Sequence, residues 1–134
     1  ADDALDRVYR MWAAVGADVI YMDARHHDEV LAATSHLPHM LAFTLMDVLG
    51  RMNERVEIFR YAAGGLRDFT RIASSDAQMW HDICLANRGS LVDVLERFQA
   101  NLSEVTKAVK TGETESVREM FVRAKNLRDT YVVK

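Results

Sequence analysis

The stretch HHDEVLAATSHLPHMLAFTLM, residues 26–46, decides the fold. Val30, Leu31 and Thr34 lead into Ser35-His36-Leu37-Pro38-His39, and the apolar run Met40, Leu41, Phe43, Leu45 and Val48 follows. A hydroxyl, two imidazoles and the one proline of the chain stand where a helix interior is ordinarily plain. Such a local departure from a consistent pattern is where function or strain is expected. Proline removes an amide donor and its ring presses on the preceding turn, which predicts a kink or break near Leu37 and a second helix restarting at Pro38. Residues 40–49 are apolar on nearly every side, so that second helix is expected to be central.

Working outward, Leu5, Val8, Tyr9, Trp12 and Val15 form one apolar stripe of an opening helix that Gly16 ends. Ala17 to Met22 reads as an extended connector, and Asp23 as the N-cap of the next helix. On the other side, Asn53 to Tyr61 is a short helix broken by Ala62-Ala63-Gly64-Gly65, whose glycines allow close backbone approach or positive φ. Leu66 to Ser74 is helical but mixed. Ser75-Asp76-Ala77-Gln78 has the form of a capping box opening a helix with Met79, Trp80, Ile83, Cys84 and Leu85. From Ser90, the residues Leu91, Leu95, Phe98, Leu102, Val105 and Val109 alternate steps of four and three over roughly three heptads, a seam suited to another helix. Gly112 stops it, and a last helix runs from about Ser116 to Tyr131. No repeat or linker divides the chain. The expectation is an all-α, multi-helix single domain over residues 1–134, with 1–22 as entry helix and linker, and a dimer built on the seam.

Composition narrows the partners. Of 134 residues, 49% are hydrophobic and 28% charged, a globular balance. A net charge of −3 lacks the basic footprint of a nucleic-acid binder. Cys84 alone can form no internal disulfide and fits a reducing compartment, hence the cytoplasm. No apolar run approaches the ~20 residues of a membrane span, and no signal peptide opens the chain. The opening Ala1-Asp2-Asp3, without methionine, hints at a piece of a longer protein.

Several chemistries compete for the histidines. His36 and His39 are three apart and share a helical face if the helix survives the proline. A zinc site would need a further ligand from His26, His27, Asp28 or Cys84, and the spacing supplies no second dyad. Ser35 beside His36 suggests a nucleophile, but adjacent helical residues diverge and no third orienting group is evident. Hydrogen bonding of these polar residues within the helix is the plainer alternative. The economical functional reading makes Ser35, His36 and His39 partners for a polar ligand, since imidazole both donates and accepts. Arg67 and Arg71 are four apart and share a face, Asp68 can pin one of them, and arginine's rigid fork matches a carboxylate. A solvated charged face is the bland reading of that stretch; Leu66, Phe69 and Ile72 favour a partly buried arginine. Trp80 is most simply a core or interface residue. No glycine-rich phosphate loop or nucleotide fingerprint is present. The residues by themselves describe a helical domain with a polar pocket that favours an anion.

HDEVLAATSHLPHMLAFTLM followed by AAGGLRDFTRIASSDAQMWHDICLAN resembles the C-terminal domain of prephenate dehydrogenases, including the cyclohexadienyl and arogenate dehydrogenases of tyrosine biosynthesis. The resemblance is dense from His27 to Asn87, extends back through VYRMWAAVGADVIYMDARHHD, and is looser over the last two helices. It implies the helical dimerisation domain of a 6-phosphogluconate-dehydrogenase-like enzyme, whose N-terminal Rossmann domain binds NAD or NADP. In such enzymes prephenate loses a hydride and carbon dioxide to give 4-hydroxyphenylpyruvate. The catalytic histidine lies in the Rossmann domain, so no catalytic, cofactor or metal residue is expected in this chain, and the chain alone is expected to be inactive. The same resemblance makes Arg71 the arginine that holds a substrate carboxylate, with Ser35, His36 and His39 lining the pocket. It implies that Gly64 and Trp80 approach the pocket from the partner subunit, that Asp68 joins the ionic network around Arg71, and that His39 is where feedback by L-tyrosine is felt. Two alternatives remain: a stand-alone helical module that senses tyrosine or dimerises without catalysis, and the helical domain of a β-hydroxyacid-type dehydrogenase, against which Ser-His-Leu-Pro-His speaks.

Overall fold

Helices follow one another without a strand through residues 2–132, the residues described by the computed structural model. They are α1 (Asp2–Ala14), α2 (Ala24–Leu31), a π turn (Ala32–His36), α3 (Leu37–Arg51), α4 (Arg55–Arg60), α5 (Gly64–Thr70), a 3-10 turn (Arg71–Ser74), α6 (Ala77–Ala86), α7 (Arg88–Thr111) and α8 (Thr114–Tyr131). The all-α expectation stands, and local chemistry explains most helix ends. Asp23 caps α2 by accepting the His26 amide at 3.1 Å. Gly16 and Gly112 follow α1 and α7 with φ of 86° and 73°, the left-handed region that glycine enters without a Cβ penalty. The Ala17–Met22 connector is neither helix nor strand, and its Tyr21 stacks on Tyr9 of α1 with ring centroids 5.8 Å apart.

Pro38 does not break the chain, contrary to the expectation at Leu37. The backbone stays helical throughout: Leu37, with φ −57° and ψ −50°, passes directly from the π turn into α3, and Pro38 occupies the first turn of α3. The wider π turn bonds the Leu37 amide to the Ala32 carbonyl, five residues back, so the missing proline amide falls where the hydrogen-bond register is already changing. Two smaller corrections concern glycine and capping. Gly64 and Gly65 lie inside the first turn of α5 with ordinary φ, and a Cβ on either would meet nothing within 4 Å in this chain. Asp76, not Ser75, caps α6, accepting the Met79 amide at 2.7 Å; Gln78 bonds forward to Asp82 and does not reach back. A carboxylate at that position is the stronger, charge-assisted acceptor.

The α3 helix is the hub, packed on the π turn, α4, α5, the 3-10 turn and α7, with α6 and α8 each in contact with α7. The few residues that are buried surround the π turn: Ala32, His36, Ala42, Trp80, Asn87 and Leu91, with Ala108 alone farther along α7. Elsewhere the apolar faces are open. The α1 stripe (Leu5, Val8, Trp12 and Val15) and the far half of the α7 seam (Leu102 and Val109) are exposed. The chain exposes 10879 Å² of surface at 15.2 kDa. A compact monomer of that mass exposes about 7,100 Å², so these helices are shaped to be covered by other protein.

Candidate functional site

The π turn and the start of α3 carry the site. Their widened register sets Ser35 and His36 at the end of one helical segment and His39 in the first turn of the next. Such π insertions recur at functional sites because they re-aim side chains that a regular helix would stack in rows. The His39 ring bonds the Ser35 carbonyl at 2.9 Å through Nδ1. A carbonyl only accepts, so Nδ1 carries a proton, and the uncharged form of the ring has its lone pair on Nε2. Trp80, from α6, lies flat on His39, with centroids 3.6 Å apart and planes 20° apart, and meets His36 edge-on at 6.1 Å. Within one chain, α6 already sets the indole against both histidines. Its Nε1–H is sealed from solvent without an acceptor, an unpaired polar group beside the histidine pair.

His36 is 8% exposed and faces Asn87, which is equally buried. The Asn87 Nδ2 donates to the Asp28 carbonyl at 2.7 Å and lies 3.2 Å from His36 Nδ1. No local pattern points to this residue, which sits at the α6–α7 junction 51 positions from His36 and reads in the sequence only as a helix end. Burial pushes the His36 imidazole below its ordinary value near 6.5; the Asp28 carboxylate opposes that shift, and His27 and His39 add to it. Below about pH 6.5 the unfolded chain takes up a proton that the folded ring refuses, so the contribution of His36 to stability is present above that pH and is lost as pH falls. The denaturation midpoint is expected to drop as pH falls through about 6.5, less steeply in His36→Gln. An equal slope in the two proteins would remove His36 from this role.

Arg71 opens the 3-10 turn, which packs on α3 and so stands beside the helix that bears His39. Its side chain is exposed. The ion pairs among the described residues are all local, one to four positions apart, and none involves Arg67, Asp68 or Arg71. The expected Asp68 link to Arg71 is thus not formed within the chain, since α5 ends between them and turns Arg71 onto the tighter 3-10 path. The Ser35 hydroxyl likewise has no partner among the described residues. The open face at Gly64 leaves room for a neighbour's backbone. Cys84 sits against Met40, sulfur to sulfur at 3.2 Å, and burial pushes its thiol up, which keeps it protonated. Among the described residues no three metal-ligating side chains gather, and no helix is long and apolar enough to cross a membrane. The histidine pair offers imidazole donors and acceptors beside an aromatic wall, and Arg71, on a turn packed against α3, offers an exposed guanidinium. That set suits a small organic anion bearing a hydroxyl.

Comparison with known proteins points the same way. Residues 23–123 match the family model described as prephenate dehydrogenase, dimerization domain. Over 119 residues the chain is 38% identical to a cyclohexadienyl dehydrogenase of Zymomonas mobilis, covering 87% of this chain and 41% of that protein. Over 127 residues it is 31% identical to the prephenate dehydrogenase of Bacillus subtilis, covering 94% and 34%. The crystal structure of prephenate dehydrogenase from Aquifex aeolicus with hydroxyphenyl propionate and NAD+ superposes with a TM-score of 0.87 at 37% identity, covering 96% of this chain and 45% of that one. The chain therefore spans less than half the length of these relatives.

Proposed function

The chain belongs to the prephenate dehydrogenase family through its dimerization domain, and from that premise we propose that it is the substrate-binding and dimerising part of an enzyme of tyrosine biosynthesis. The reaction is the oxidative decarboxylation of prephenate to 4-hydroxyphenylpyruvate. The observation that carries this reading is the gathering of His36, His39 and Trp80 around the π turn, inside the residues that match the family. Prephenate has two carboxylates and a ring hydroxyl. Arg71, exposed and unpaired, supplies a bidentate partner for a carboxylate. Ser35, His36 and His39 supply hydrogen bonds along one wall, and Trp80 stiffens it. Gly64 admits a neighbouring subunit's backbone, and Asp68 joins the ionic network around Arg71 once that neighbour is in place. L-tyrosine, the aromatic amino acid to which this chemistry leads, is assigned to the same wall at His39.

The hydride acceptor, NAD or NADP, has no seat here. The described residues form no strand–helix–strand unit and no glycine-rich phosphate loop, so they do not fit a dinucleotide. Hydride transfer and its proton acceptor are accordingly assigned to another part of the intact protein, and this chain is assigned the role of a single domain that acts as a homodimer in the cytoplasm. Assay of the intact protein with prephenate and with arogenate, each with NAD and with NADP, tests the proposal. Nucleotide reduction dependent on one of the two acids is expected, and none with either would overturn it.

A further inference from the structure

Asn87 lies outside every group the proposed function uses, yet it is one of two buried polar side chains among the described residues, and the other is His36. Its carboxamide spans the π turn from end to end. The Asp28 carbonyl, which lies four residues before Ala32, and the ring of His36, which closes the turn, both meet the same nitrogen, Nδ2. The orientation of the amide is fixed by chemistry. A carbonyl oxygen can only accept, so the group 2.7 Å from it is the NH2 and not Oδ1. The second hydrogen of that NH2 then points along the 3.2 Å contact to His36 Nδ1, which has to present a lone pair.

We infer that Asn87 is a positioning residue that fixes His36 as the neutral tautomer protonated on Nε2, so that the ring offers the site an N–H donor. That Nε2 has no partner within the chain and is not sealed, for the sealed, unpartnered polar side-chain atom among the described residues is Trp80 Nε1. The donor is therefore unspent among the described residues. Beside it, His39 spends its Nδ1–H on the Ser35 carbonyl, so the uncharged form of that ring is the opposite tautomer, with Nε2 as an acceptor. One donor and one acceptor three residues apart suit an oxygen that both accepts and donates, as a hydroxyl does, better than two like rings would. The depressed basicity of the buried His36 ring agrees with a neutral state. The choice of prephenate as probe rests on the proposed function; the tautomer does not.

The intact protein labelled with 15N-histidine, with His36→Gln to assign the ring, provides the test. At neutral pH His36 is expected to show Nδ1 in the unprotonated range and Nε2 in the protonated range. Asn87→Asp keeps the shape but turns the donor into an acceptor, so the His36 proton is expected to move to Nδ1 or the ring to become charged. The KM for prephenate is expected to rise about 10- to 100-fold, the usual scale for a lost hydrogen bond to a charged or strongly polar group. A wild-type ring protonated on Nδ1 overturns the inference, as does an Asn87→Asp ring unchanged from wild type or an unchanged KM. Should Asn87→Asp fail to fold, the wild-type ring spectrum decides alone. An Nε2–H ring in a protein that ignores prephenate leaves the tautomer lock standing and removes the proposed function.

Discussion

Arg71→Ala is expected to raise the KM for prephenate roughly 30- to several-thousand-fold, the equivalent of about 2–5 kcal/mol, with a smaller change in kcat. The loss is large because a guanidinium and a carboxylate pair through two parallel hydrogen bonds, and alanine leaves the carboxylate with neither. The binding of one substrate carboxylate is felt in ground and transition states alike, which places the effect mainly in KM. Stability is expected to stay within about 0.5 kcal/mol of wild type, because the side chain is exposed and holds no acid within the chain. Arg71→Lys retains charge without the fork and is expected to fall between the two. Steady-state kinetics on the intact protein, beside a denaturation curve for each variant, checks all three statements. An unchanged KM for Arg71→Ala takes Arg71 out of the site.

The helix ends are readable in the sequence wherever one residue's own chemistry sets them. Asp23 has a short carboxylate in reach of the His26 amide, and Gly16 and Gly112 need no partner to turn left-handed. Periodicity likewise places α7 and α8, because a helix that buries one face repeats its apolar residues with the turn. What periodicity does not carry is the kind of turn. Proline signals trouble at Leu37, yet whether the chain breaks or widens depends on the contacts that hold the π turn, and those come from α2 and α3 on either side and from α7 across the fold. The site divides along the same line. Ser35, His36 and His39 stand out as polar residues in an apolar run, and Arg71 as a charge beside glycines. Asn87 does not stand out, since its meaning lies in a carbonyl 59 positions away and a ring 51 away. Trp80 shows its type in the sequence but not its address, which the corner between α6 and α7 determines.

The second large effect concerns the open half of the α7 seam. Leu102 and Val109 are 53% and 66% exposed, so carboxylates there cost the isolated chain little. In a homodimer closed over this seam, the same carboxylates enter an apolar interface, where each unpaired charge costs several kcal/mol. Two-fold symmetry repeats the insult, so a double substitution places four charges in one interface. Leu102→Asp with Val109→Asp is therefore expected to raise the dimer dissociation constant about 1,000-fold or more, read by sedimentation across a concentration series. Helix content by circular dichroism separates dissociation from simple unfolding at matched concentration. The surplus of exposed surface sharpens the expectation further. At 10879 Å² against about 7,100 Å² for a compact monomer, the chain has far more to cover than a standard patch of about 800 Å² per partner. Interfaces on that scale belong to obligate assemblies, whose stability depends on protomer concentration. The double variant should accordingly lose thermal stability as well as its partner, and a variant that stays dimeric with the wild-type dissociation constant would place the interface on another face.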